Sequence, residues 1–123
     1  MLRPASLALA LLLAPAAAVA QTQLELTSKA ADELSAANAR LGVVYDGLIA
    51  KYGADSKKRL KEAQDAWQLY SDKQCFFENK GTEGGTIHQM LVYQCLKALT
   101  ELRVTELKRQ EHCQEGALSC VRD

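Results

Sequence analysis

Apolar residues recur along this chain at alternating intervals of three and four, in three separate blocks. The first carries Ala30, Leu34, Ala37, Leu41, Val44 and Leu48 as one seam, with Tyr45 and Tyr52 flanking it. The second, the stretch 60–75, places Leu60, Ala63, Trp67 and Tyr70 on one side and ends at Cys75. The third aligns Ile87, Leu91, Cys95, Ala98 and Leu102. That rhythm stacks side chains on a single face of an α-helix, so each block is predicted to be an amphipathic helix.

Punctuation between the blocks sets their expected ends. Thr22 and Glu25 have capping-box spacing, so the first helix is predicted over 21–52, closed by Gly53. Gly42 and Gly47 weaken it by about 1 kcal/mol each relative to alanine, or permit close approach of a neighbour. Asp55 or Ser56 is the expected cap of the second helix, which reaches Phe76 or Phe77. The run 79–85, NKGTEGG, is a loop by composition. Thr86 with Gln89 is a second capping box, and the third helix is expected to stop between Lys108 and His112. Short connections between three helices predict an all-α, up-down-up bundle. There is no internal repeat, low-complexity run or second domain, so residues 21–123 are expected to form a single helical domain.

Residues 1–20 read as a signal peptide. Arg3 gives a positive start, Leu7 to Leu13 an apolar centre, and Ala18-Val19-Ala20 the small residues that precede cleavage, expected after Ala20. The competing reading, an uncleaved anchor, needs about 20 apolar residues, and Pro15 interrupts this short centre. No cysteine lies near the cleavage point for lipid attachment, and no later stretch is long and apolar enough to span a membrane. The mature chain is therefore expected to be periplasmic or secreted. It holds all four cysteines, Cys75, Cys95, Cys113 and Cys120, and an even count in an exported chain predicts two disulfides. Of three pairings, the sequence-local Cys75–Cys95 and Cys113–Cys120 are expected, the second closing a C-terminal loop over 113–120. Closing the 20-residue loop adds about 3 kcal/mol in the chain-entropy model.

A Cys75–Cys95 bridge also fixes a register. In antiparallel helices the paired positions then sum to about 170, which sets Leu102 level with Gln68 and Arg103 level with Trp67. Arg103 is expected to stack on the Trp67 indole or to bond Gln64, one turn away.

Charge excludes some partners. With 15 basic and 15 acidic residues there is no basic excess of the kind nucleic-acid binding needs. Lys57, Lys58, Arg59 and Lys61 cluster near the start of the second helix, the unfavourable end for its dipole, and read as a solvated face. Catalytic chemistry finds no support: His88 and His112 sit at opposite ends of one helix, and Glu78 and Glu83 lie in or beside a glycine-rich loop with nothing to raise a carboxyl pKa. A zinc site from His112, Cys113 and Cys120 competes with a disulfide and is the weaker reading in an exported chain. No enzyme activity, metal or cofactor is expected. Trp67 and Arg103 read as structural, together with Gln64 and Asp72. Phe76 and Phe77 cannot both face one core, since helix neighbours point about 100° apart, so one of them is a candidate partner anchor beside the 79–85 loop.

The run 38–75, with Leu41, Tyr45, Leu60, Ala63-Gln64, Ala66-Trp67, Tyr70, Asp72 and Cys75, resembles the lysozyme-inhibitor LprI-like N-terminal domain family. So do the small glycine loop Gly84-Gly85 and the later Cys95, Leu99-Thr100 and Arg103. The likeness covers about residues 22–107. It departs at 27–29 (Thr-Ser-Lys), where members often carry a further cysteine, at Asn38 and Gly42, where Asp and Asn are favoured, and at Ser71, often arginine. The resemblance implies an exported helical binding protein whose partner is a protein, lysozyme being the named case. Inhibition would be steric, by a stiff loop over 79–86 with Phe77, Phe76 and Glu83 as contacts. The alternative is a structural or interaction module of the envelope with no enzyme target.

Overall fold

The computed structural model describes residues 14–122, with side chains from residue 22 onward; of the expected leader, residues 1–13 lie outside them. Three helices account for most of the described chain: α1 (Ala14–Lys51), α2 (Ala54–Glu78) and α3 (His88–Glu111). A single 3-10 turn, Lys80–Thr82, lies between α2 and α3. At 1.5 Å rise per residue, the 38 residues of α1 run for about 57 Å and the 24 of α3 for about 36 Å.

Side-chain bonds give the topology. Lys97 Nζ meets Glu33 Oε2 at 3.0 Å, Thr100 Oγ1 donates to Asn38 Oδ1 at 3.3 Å, and Arg40 Nη2 meets Glu101 Oε1 at 3.2 Å. Each pair is just over sixty residues apart in sequence, so α1 and α3 run parallel. Pairs between α2 and α3 instead have a nearly constant sum: Cys75 with Cys95, and Gln64 with Arg103. Those two helices are antiparallel, and the order is up-down-up as expected.

The core lies between α1 and α3. Ala30, Ala37, Leu41, Val44 and Leu48 of the predicted α1 seam are buried, against Val92, Val104 and Leu107 of α3. Leu34 is half-buried. Tyr45, Tyr52, Leu60 and Trp67 pack on the edge of this cluster. An added Cβ at Gly47 would meet only the end of the Glu111 side chain, at 3.4 Å, an ordinary contact, so close helix approach does not require this glycine. Gly42 faces open space.

In the other two helices the buried face is rotated from the predicted one. On α2, Ala63 and Tyr70 are exposed, and the inward line is Leu60, Gln64, Trp67, Ser71 and Cys75. On α3, Leu102 is 61 % exposed, Ile87 and Ala98 also face solvent, and the inward line is Val92, Leu96, Thr100, Val104 and Leu107. Polar side chains with internal bonds occupy the inward positions: Ser71 Oγ donates to Gln68 O at 2.9 Å, and Thr100 bonds Asn38. A hydrogen-bonded hydroxyl loses little on burial, whereas hydropathy assigns it to the surface.

None of the predicted capping boxes forms. Thr22 lies inside α1, which begins at Ala14. Gly53 has φ −69° and ψ 177°, extended rather than left-handed, and precedes α2 as its N-cap, displacing Asp55 and Ser56 from that role. Asp55 instead bonds Arg59 one turn on, at 2.7 Å. Thr86 gives way to Ile87, which is already helical, with φ −83° and ψ −18°. The turn before α3 hands directly into the helix through His88 N to Gly85 O (3.3 Å) and Leu91 N to Ile87 O (3.2 Å).

Both expected disulfides are present. Cys75–Cys95 joins α2 to α3, and Cys113–Cys120 closes the tail after α3. With both sulfurs of the tail oxidised, the zinc alternative with His112 has no thiolates to offer.

Candidate functional site

The end of the α2–α3 hairpin carries the candidate partner-binding residues. Buried Cys75 bonds Cys95 here, and Phe76 and Phe77 follow it directly. Helix geometry then decides their fate: with Cys75 inward, the next two residues must turn outward. Phe77 is 75 % exposed and Phe76 54 %. The Phe76 ring lies 6.3 Å from the His88 imidazole, tilted by 36°. Both phenylalanines are therefore available to a partner, where the sequence expected one.

The loop beside them is a chain of tight turns. Thr82 N bonds Asn79 O at 3.0 Å, Glu83 N bonds Lys80 O at 3.3 Å, and Gly85 N bonds Thr82 O at 3.0 Å. Asn79 Nδ2 donates back to Cys75 O at 2.9 Å, closing the end of α2. Gly84 sits at φ 79°, the left-handed region in which glycine is favoured, and allows the chain to reverse. The run that is a loop by composition is thus held by backbone bonds along its length.

His88 completes the fastening. The Thr82 hydroxyl donates to Asn79 O at 2.8 Å, which uses its one proton. His88 Nδ1 lies 2.9 Å from the same oxygen, so the imidazole must donate there and carries its proton on Nδ1. The sequence marked His88 only as a residue without a catalytic partner; its place in the first turn of α3, six residues after Thr82, was the available signal. His88 and His112 stand about 36 Å apart along α3 and cannot act together.

Glu83 projects from the turn and is ion-paired with Lys80. The hydrogen bond from Lys80, helped by its charge, holds the Glu83 carboxyl below the usual range, so it is an anion at neutral pH. The rim thus presents two aromatic rings, a carboxylate and an ammonium group.

The residues assigned structural roles lie farther down the hairpin. Arg103 Nε donates to Gln64 Oε1 at 3.1 Å and Nη1 meets Glu106 Oε2 at 3.0 Å. Trp67 packs against the core one turn from Gln64. Asp72 accepts from Gln68 Nε2 at 3.3 Å within its own helix. On the basic stretch of α2, Arg59, Lys58 and Lys61 each pair with a carboxylate four residues away, Asp55, Glu62 and Asp65. That face is neutralised locally, which accounts for a row of cations at a helix start.

Comparison with known proteins gives the family. The model of the family described as Lysozyme inhibitor LprI matches residues 14–107. An uncharacterized protein of Rhizobium meliloti (strain 1021) is 35 % identical over 102 residues, covering 72 % of this chain and 73 % of the relative. No solved structure matches. The match spans all of α1 and α2, the fastened turn and most of α3, and on that extent the chain belongs to the LprI lysozyme inhibitor family.

Proposed function

We propose that this chain is exported and inhibits a lysozyme by steric blockade, with the α2–α3 turn as the inhibitory element. The observation that carries the reading is the pairing of exposure with stiffness at one place. Phe77 is 75 % exposed, yet it sits two residues from a disulfide and beside a turn bonded at Asn79, Thr82 and His88. A rigid projection loses little conformational freedom on docking, and aromatic anchors dominate binding energy at protein interfaces. Phe77 and Phe76 act as the anchors, and Glu83 with Lys80 forms the polar rim. The two disulfides support an oxidising compartment such as the periplasm, and the family supports lysozyme as the target.

The test is turnover of bacterial cell walls by lysozyme with excess disulfide-bonded protein. Inhibition is expected, and Phe77→Ala should relieve it at least about tenfold, as loss of a hot-spot aromatic does. Undiminished lysozyme turnover at saturating protein would overturn the reading. It would leave the envelope interaction module, to be identified by capture from a periplasmic extract.

A further inference from the structure

The far end of the molecule holds a second feature, which the family reading does not use. Thr105, Lys108, Arg109 and His112 follow one another at intervals of three, one and three, and so share one face of the last two turns of α3. The Cys113–Cys120 disulfide folds the tail back alongside that face. Gln110 fastens it, donating through Nε2 to Ser119 O at 3.1 Å and accepting from Val121 N at 3.0 Å. Arg122 Nη2 reaches across to Gln114 O at 3.3 Å. Between helix and tail lies an open groove of about 460 Å³, lined on one side by Lys108, Arg109 and His112 and on the other by Gln114, Ala117 and Ser119. That volume falls within the range of small-ligand sites.

The cations of this groove are not neutralised in the way Lys58, Arg59 and Lys61 of α2 are. Neither Lys108 nor Arg109 forms an ion pair among the described residues, whereas Arg40, Arg59, Lys61, Lys97 and Arg103 each hold a carboxylate. Of the acids of α3 nearest to them, Glu101 is bonded to Arg40 and Glu106 to Arg103, while Glu111 points at Gly47 of α1 and does not line the groove. Glu115 lies in the exposed turn of the tail. The negative end of the α3 dipole, about half a charge, opposes an anion here, but the two full positive charges of Lys108 and Arg109 outweigh it. The geometry points to a binding site for a small, multiply charged oxyanion, of phosphate or polycarboxylate type, held by Lys108, Arg109 and His112 in the groove that the tail disulfide shapes.

Titration of the disulfide-bonded protein with inorganic phosphate and with citrate, followed by NMR, tests this. Saturable shifts are expected at the amides of 108–121 and at the His112 ring, with chloride at matched ionic strength producing none. Removing two charge-assisted contacts in Lys108→Ala/Arg109→Ala should weaken the retained anion by at least about tenfold. Lys57→Ala, which removes a charge elsewhere, should leave affinity unchanged. Cys113→Ser/Cys120→Ser should also weaken binding, because the tail wall is released while α3 persists. Saturation by phosphate alone or citrate alone identifies which oxyanion geometry fits. Shifts that never saturate, or that are the same in the Lys108/Arg109 variant or equally reduced in Lys57→Ala, would overturn the site.

Discussion

Arg103 Nε lies 3.1 Å from Gln64 Oε1, and this bond joins α3 to α2 two turns below the disulfide that also joins them. The Arg103 side chain is only 14 % exposed, and its guanidinium is shared with Glu106. A charged donor with this little access to water is expensive to leave unmatched. Arg103→Ala should therefore destabilise the protein by about 1.5–3 kcal/mol, the scale of a hydrogen bond to a charged group. Urea unfolding of both single variants and the double variant measures the Gln64–Arg103 coupling, expected near 1 kcal/mol. Additive losses would mean that the contact contributes nothing of its own.

That bond also explains what could be read beforehand. The α1 seam was legible because its inward positions are all aliphatic, Ala30 to Leu48, so hydropathy and burial coincide. The register of α2 on α3 followed from the position of two cysteines. The inward faces of α2 and α3 lie one or two positions away from the apolar ones because Gln64, Ser71, Thr100 and Arg103 point inward in hydrogen bonds, while Tyr70 and Leu102 point to water. Helix starts failed for a related reason: Gly53 and Ile87 precede α2 and α3 without a side-chain cap, the latter led in by turn hydrogen bonds. At the candidate site, Phe77 and Glu83 were visible as exposed chemistry beside glycines, but the Thr82–His88 clasp depends on a turn shape that spacing alone does not encode.

The two disulfides should contribute unequally. Cys75–Cys95 ties helices whose chain separation is 20 residues, and Cys75 is fully buried. Its replacement in Cys75→Ser/Cys95→Ser is expected to cost about 3 kcal/mol from loop closure, with buried hydroxyls adding to the loss. Cys113–Cys120 spans seven residues in an exposed tail, beyond the core. The chain-entropy scale for so short a loop is about 2 kcal/mol, and local release of the tail should lower the measured loss further. Thermal melts of both double variants check the order; equal losses would place the tail in the cooperative core.

Two aromatic substitutions should separate stability from binding. Trp67 packs on the Leu41–Val104 cluster, so Trp67→Ala is expected to destabilise by about 2–3 kcal/mol, below the fully buried value because the ring is part-exposed. Phe77→Ala, at a surface position, should stay within about 0.5 kcal/mol of wild type. If Phe77→Ala weakens lysozyme inhibition while its melting curve overlays the parent, the ring acts on the partner. A melting shift as large as that of Trp67→Ala would make Phe77 a structural residue.

The Glu33–Lys97 pair, at 3.0 Å between α1 and α3, predicts how stability follows pH. The hydrogen bond from Lys97, then its charge, holds the Glu33 carboxyl below its ordinary value, and the same two causes hold the Lys97 ammonium above its own. A lowered carboxyl pKa means that the native state binds fewer protons than the unfolded chain, so this contribution is complete above the unfolded value and is lost as pH falls through the folded one. For Lys97 the sense reverses: its contribution is complete below the unfolded lysine value and disappears as pH rises through the raised one. The difference in urea midpoint between wild type and Glu33→Gln should therefore be flat between about pH 6 and pH 9, inside both ordinary values, and shrink on either side. Because the pair is part-exposed, high salt should shrink it too. A difference that grew as the solution was acidified would show that the carboxylate is destabilising in the fold, and that α1 and α3 are held parallel without it.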